Sequence, residues 1–212
     1  MSNGSVTLKY GALIKPAQQV EITAGAGFRY PFSLNPQYVD GHMVNRDLQP
    51  STNAFGASAM FFFNKGFPSI TLRIFSINRY DYNFRMKNDY IVETDYKYGN
   101  ILLNSIFISK KIAKYFFGIL QVRNEWKTND QDFNNTEANH KVVNSGFDLI
   151  TLSPQLSYSF VGKWNLTVLC DIPVYKFYNG KQMTPKYSLA ISLTRDFNLG
   201  KKLPTVQPAV IK

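Results

Sequence analysis

The sequence predicts an all-β chain: a transmembrane up-and-down antiparallel β-barrel with nine strands visible and ten or more in the intact molecule. Three observations lead there. Apolar and polar residues alternate through most of the chain, in runs of roughly ten residues or more. The connections between the runs alternate in length, short then long. Most of the charges that fall inside the runs keep to the polar parity. Period two is the signature of a strand with one apolar and one polar face, and ordinary strands are only about five to six residues long. Long tilted strands, tight turns on one rim and long loops on the other are what outer-membrane barrels have.

The predicted strands are residues 5–14, 20–32, 53–63, 69–80, 96–109, 115–126, 146–159, 164–178 and 186–197. In the second, Glu21, Thr23, Gly25, Gly27 and Arg29 oppose Val20, Ile22, Ala24, Phe28 and Tyr30. In the fourth, Thr71 and Arg73 oppose Ile70, Leu72 and Ile74. In the sixth, Gln121, Arg123 and Glu125 oppose Phe116, Leu120, Val122 and Trp126. The last three carry the clearest pattern. Leu156, Tyr158 and Phe160 alternate with Gln155, Ser157 and Ser159. Trp164, Leu166, Val168, Cys170, Ile172 and Val174 form an unbroken apolar parity. Tyr187, Leu189, Ile191, Leu193 and Phe197 alternate with Ser188, Ala190, Ser192, Thr194 and Asp196.

Two sets of candidate residues follow. Lys9, Glu21, Arg29, Arg73, Arg123, Glu125, Asp171 and Asp196 are expected to line the lumen, since an apolar core could not bury eight charges whereas a wet or ion-paired interior can. Tyr10, Tyr30, Trp126, Trp164, Tyr178 and Tyr187 are expected in the aromatic girdles at the two membrane interfaces. The four lumen cations either form an anion-favouring lining or are paired by Glu21, Glu125, Asp171 and Asp196 and are structural.

The expected short turns are 15–19, 64–68, 110–114 and 161–163; the long loops are 33–52, 81–95, 127–145 and, less long, 179–185. Acid and base separate between them. Asp40, Asp47, Asp81, Asp89, Glu93, Asp95, Asp130, Asp132 and Glu137 fall in the three longest loops, while the short turns carry only lysines. Nine strands put the two ends of the sheet on opposite rims, and bacterial single-chain barrels have an even count. The expectation is therefore a barrel domain over 1–198 that lacks an upstream strand and its leader, with a periplasmic tail over 199–212; otherwise the first segment is not a spanning strand, or a neighbouring chain closes the barrel.

Composition narrows the alternatives. The formal charge of +10 is spread through every segment with no basic stripe, so no nucleic-acid partner is expected. No stretch approaches the roughly 18 apolar residues of a membrane helix. The single cysteine, Cys170, reads as a small apolar residue. His42 and His140 both fall in long loops, His42 near Asp40 and Asp47, His140 near Glu137 and Ser145. A lipid or lipopolysaccharide-modifying enzyme would need one of them beside a serine and an acid. Neither stands in a recognised catalytic motif, so no enzyme, metal or cofactor is expected.

The segments G-A-G-F-R-Y-P-F (25–32), S-P-Q-L-S-Y-S-F (153–160), D-I-P-V-Y-K-F-Y-N-G (171–180) and P-K-Y-S-L-A-I-S-L (185–193) resemble outer-membrane barrels described as transporters and linked to the phenol meta-degradation pathway. The Lys, Asn, Tyr and Phe-rich texture is similar to that of barrels from Bacteroidetes-type bacteria. The resemblance covers the last third of the chain well and residues 20–32 weakly. It implies a Gram-negative outer membrane, long loops outside and C-terminus in the periplasm. The implied partners are outer-membrane lipid and lipopolysaccharide, with other envelope proteins met through the loops or the tail. The tail beyond Phe197 departs from the pattern.

Ten strands about 4.8 Å apart and tilted by roughly 40° enclose a cylinder about 20 Å across, too narrow for a wide pore. A narrow transporter-like channel and a structural subunit of a larger envelope complex are the readings this leaves. A soluble lipocalin-like binding protein is the alternative outside the membrane.

Overall fold

In the computed structural model, which describes residues 3–32, 38–40, 42–43, 54–88, 94–134, 140–160 and 164–195, the alternating runs form one sheet. The first hairpin joins β1 (Asn3–Lys15) to β2 (Val20–Pro31). A two-residue pair, β3 (Tyr38–Val39) and β4 (His42–Met43), precedes the second hairpin, β5 (Gly56–Phe67) with β6 (Leu72–Asn83). Then come β7 (Met86–Asn88), β8 (Thr94–Lys97), β9 (Ile101–Lys111), β10 (Phe116–Lys127) and β11 (Gln131–Asp132). The chain continues through β12 (Phe147–Phe160), β13 (Trp164–Tyr178) and β14 (Ser188–Arg195). The nine long strands pair antiparallel in the order β1-β2-β5-β6-β9-β10-β12-β13-β14, while β11-β8-β7 form a small sheet from the long loops.

Two of the short turns share one design. Pro16 and Pro68 each open a 3-10 turn, and Gln19 and Thr71 close it in the left-handed region, at φ 49° and 51°. Their N–H groups donate back to the proline carbonyls at 3.0 and 3.1 Å. Proline suits the opening position because its φ is already set and its missing donor is not needed there. This moves the second turn from the expected 64–68 to 68–71: Pro68 begins the turn instead of ending it. Lys65 therefore lies in β5, where its Nζ donates to the Gln18 carbonyl of the neighbouring turn at 2.9 Å. Lys110 and Lys111 likewise belong to β9.

The expected strand over 96–109 is divided. Tyr96 belongs to β8, and β9 starts only at Ile101, because the chain at Gly99 presses against the top of β10. A Cβ on Gly99 would stand 1.9 Å from the Thr128 carbonyl oxygen. Asp81 is also not a loop residue. It lies in β6, ion-paired to Arg79 at 2.9 Å.

The hairpins are staggered. From Lys15 at the end of β1, direct cross-strand partners run Val20, Lys65, Ile74, Ile108, Leu120 and Pro154. Pro154 lies six residues above Phe160, the end of its strand, so the turns descend six residues over six strand steps. One residue of about 3.3 Å per strand spacing of about 4.8 Å is a tilt of about 35°, within the barrel range.

Directly opposed residues of an antiparallel sheet share a face. The set Thr23, Phe62, Ile77, Ser105, Arg123 and Thr151 therefore defines one face, called inner here. All buried polar residues of the nine strands are on it: Asn64, Asn83, Ser105, Ser109, Thr151 and Ser153. The opposite, outer face holds the exposed apolar side chains, among them Leu8, Phe61, Ile106, Leu120, Val122, Trp126, Leu156, Ile172 and Ile191. In the long strands only Ile14 and Phe117, both at the short-turn end, expose a large apolar group on the inner side. Among the described residues no second layer packs on the sheet, since the long strands make their extensive contacts with their neighbours in the sheet. Small inner residues such as Ser105, Thr151 and Ser153 are nonetheless buried, as a sheet curled around that face leaves them.

A bulge corrects one expected orientation. Ile150 pairs with Tyr175 but Thr151 pairs with Pro173, so β13 holds one extra residue there. The parity of β13 flips above it. Tyr178, expected to face outward with Trp164, instead stands opposite Phe147 on the inner face.

Among the described residues the sheet does not close. β1 and β14 each pair on one side only, and both run from the long-loop rim toward the short-turn rim. Neither edge carries a proline, and every residue of β14 is exposed.

Candidate functional site

Seven of the eight expected lining charges, Lys9, Glu21, Arg29, Arg73, Arg123, Glu125 and Asp171, lie on the inner face. Asp196 lies outside the described residues. The arginines are not all held by acids. Arg123 faces Asp171 at 3.8 Å, and Asp171 also accepts a hydrogen bond from the Ser153 hydroxyl on the intervening strand. Arg73 instead donates Nε to Asn64 Oδ1 at 2.5 Å, and Arg29 donates to Asn83 Oδ1. Asn83 in turn donates to the Gly99 carbonyl at 2.7 Å, which ties the Arg29 site to the top of β9. Gly56 opposite Arg29 leaves the room: a Cβ there would stand 2.7 Å from the guanidinium. Glu21 accepts from Thr23 at 3.4 Å, and Lys9 has no carboxylate partner among the described residues. The Nε atoms of Arg29 and Arg123 are buried without a protein acceptor.

The inner face is divided in character. On β10 to β13 it is polar, with Gln121, Arg123, Thr151, Ser153, Ser157, Thr167 and Asp171. On β5 to β9 it carries Phe62, Phe75, Ile77, Leu103 and Phe107. Phe75 and Phe107, directly opposite each other, stack with ring centroids 4.4 Å apart. Alternation does not single out these aromatics: β5, β6 and β9 carry apolar residues at both parities, so alternation alone cannot say which phenylalanines turn inward.

At the long-loop rim Asp130 is the hub. Its side chain is only 5% exposed. It accepts from Tyr96 Oη at 2.8 Å and Gly99 N at 2.7 Å, and pairs with Lys127 Nζ at 3.0 Å. The small sheet of β7, β8 and β11 is thereby fastened to the ends of β9 and β10. Arg85 pairs with Asp95 and lies over the Phe133 ring at 3.8 Å; its hydrogen bond to that carboxylate raises its pKa further above the ordinary value. Nothing in the spacing of the sequence singled out Asp130 as a structural tie.

Of the girdle aromatics, Tyr30 and Trp126 lie on the outer face near the long-loop rim and Trp164 at the short-turn end. Tyr10 is outward but five residues in from the end of β1, and Tyr187 is exposed just before β14. The histidines assemble no triad among the described residues. His140 has φ 63° and its ring lies 5.2 Å from that of Phe133. Ser145 gives its hydroxyl proton to the Val142 carbonyl at 2.7 Å and accepts from Asp130 N at 3.0 Å, a structural role. His42 pairs its backbone with Val39, and Glu137 and Asp47 lie outside the described residues. No group of three metal-ligating side chains is present among the described residues. No protein-family model matches this chain and no curated protein does, so nothing ties it to the transporter-like barrels that its C-terminal segments resemble.

Proposed function

We propose that this chain forms an outer-membrane β-barrel with a narrow, largely side-chain-filled interior, serving as a structural subunit of the cell envelope. The observation that carries this is the inverted burial of the two faces. Large apolar side chains point away from the curled sheet, where only lipid would make them favourable, while hydroxyls, amides and charges turn inward. In water such an apolar surface would exceed the few hundred Å² that monomers normally leave bare.

Closed by one further strand at a tilt of about 35°, the sheet would enclose a backbone cylinder just under 20 Å wide. Phe62, Phe75 and Phe107 occupy one wall of that cylinder, and the Arg123–Asp171 pair the other. This favours a filled interior over an open channel. The two sheet edges run the same way, so one strand running oppositely would pair with both and remove them, as lipid requires. Residues 199–212 suit that place poorly. Pro204 and Pro208 share a parity and lack the N–H groups a strand paired on both sides must donate. An upstream segment or a neighbouring chain supplies the strand in this reading.

Reconstitution tests it. Folded protein is expected to float with lipid vesicles, resist alkaline extraction and migrate differently on gels before and after boiling. A chain that stays monomeric in buffer without detergent would overturn the membrane reading. A stable, anion-selective conductance in planar bilayers would favour the channel over the structural subunit, and the excess of inner-face cations is the observation behind that second reading.

A further inference from the structure

A pocket of about 430 Å³ opens at the long-loop rim, over the ends of β10, β12 and β13 and beside the loop sheet. Its apolar side includes Trp126 and Phe177, both outward in the register and 41% and 59% exposed, together with the inward Phe147. Its polar side includes Lys97, Lys127 and Lys141, with amides such as Gln131 and Asn179, and no acidic residue lines it. The three lysines are not equivalent. Lys127 is committed to Asp130 at 3.0 Å. Lys97 stands 3.3 Å from the Tyr82 hydroxyl and 4.4 Å from the centre of that ring, and has no carboxylate partner among the described residues. Lys141, exposed, has no carboxylate partner among the described residues. Asp148 lies between Trp126 and Phe177 in the register, but it does not line the pocket and accepts from Asn124 Nδ2 at 2.7 Å.

We infer that this pocket holds the phosphate of an anionic lipid of the outer leaflet, with Lys97 and Lys141 on the phosphate and the Trp126–Phe177 ledge under the first acyl carbons. The inference rests on the membrane reading and adds a specific lipid class and site to it. The arrangement fits a lipid phosphate better than a free one. The cations line the same pocket as two exposed rings that a soluble anion would leave bare, while an amphiphile covers both. Each lysine near a membrane surface contributes about 1 kcal/mol toward an anionic headgroup, a factor of about five. Removing both therefore lowers the preference by up to about 25-fold.

The chain has two tryptophans, so Trp164→Phe leaves Trp126 as a reporter inside the pocket. The full chain carrying that change is refolded into vesicles of phosphatidylcholine and phosphatidylglycerol, with bromine near the glycerol end of the chains of one lipid or the other. Trp126 is expected to be quenched more by brominated phosphatidylglycerol than its share of the membrane accounts for. Lys97→Gln with Lys141→Gln should abolish that excess while the heat-dependent gel shift stays unchanged. Equal quenching by both lipids would overturn the site and leave the barrel standing, as would an excess that survives the double substitution. Absence of quenching by either lipid would instead count against membrane insertion itself. Glycerol phosphate in solution removing the excess at concentrations near those of the lipid headgroup would reassign the pocket to a soluble phosphate and overturn the lipid assignment.

Discussion

Ser153 and Leu120 lie one residue apart in register, Ser153 being directly opposite Gln121, yet the serine is 1% exposed and the leucine 40%. The same inversion holds across the sheet: inner Ser105 against outer Ile106, inner Asp171 against outer Ile172. A sheet in water buries its leucines and hydrates its serines, because each Å² of apolar surface removed from water contributes about 25 cal/mol. Reversing both together on one continuous sheet is economical only if the solvent on the outer side is not water. The difference between the faces thus speaks about the medium, whereas the residues on either face taken alone speak only about strands.

The most direct way to break that comparison is a charge on the outer face. Leu120→Arg, near the middle of β10, should cost about 2–4 kcal/mol of folding stability in a bilayer, read from urea titration of the reconstituted protein. In a water-exposed sheet the same substitution at a 40%-exposed leucine would stay within about 0.5 kcal/mol. An unchanged midpoint would remove the lipid from the outer face.

Phe107→Ala tests the opposite wall. The ring is half-buried and stacked on Phe75, so its loss should cost about 2–3 kcal/mol, less than a fully buried phenylalanine. It should also raise any conductance, since it empties volume inside the proposed cylinder. A conductance that does not change would place the constriction elsewhere.

Asp171→Ala is a smaller perturbation on the polar wall. It leaves Arg123 without its carboxylate and Ser153 without its acceptor. The two side chains are 32% and 24% exposed and 3.8 Å apart, so the loss is screened and should come to about 1–2 kcal/mol. Asp171→Asn should recover part of it, because the amide oxygen still accepts from Ser153. Equal losses for both variants would mean that charge, and not the hydrogen bond, is what the pair supplies.

How far the sequence was legible follows from the same contrast. The strand runs and the sorting of Lys9, Arg29, Arg123 and Asp171 to one face were readable because each lies in a stretch of strict period two. Tyr178 was misplaced because one extra residue in β13 inverts every parity beyond it, and a bulge leaves no mark in composition. The turn at Pro68 was displaced because proline can open or close a turn, and only its partnership with the left-handed Thr71 decides which. Phe75 and Phe107 were hidden by neighbours apolar at both parities. Asp130 was hidden for a different reason: its partners Tyr96 and Gly99 lie about thirty residues away, and only the pairing of β9 with β10 brings them together.

The smallest predicted effect concerns the one place where the outer face breaks its own rule. Asn78, Asn104 and Asn124 stand directly opposite one another on β6, β9 and β10, in the same outer register as Tyr80, Ile106 and Val122. Asn124 is occupied by Asp148, and Asn78 reaches Ser76 at 3.4 Å, whereas the side chain of Asn104, the middle one, has no such partner among the described residues. Facing lipid, that amide is unfavourable, and Asn104→Leu should stabilise the reconstituted protein by about 1 kcal/mol, with the urea midpoint moving up. Facing water, it would gain little. If the three amides are instead covered by another protein in the membrane, the sign reverses once that partner is present: the leucine variant would be more stable alone and bind less tightly in the envelope complex. The isolated variant therefore reports what solvates the outer face, and the variant in native membranes reports whether lipid is all that touches it.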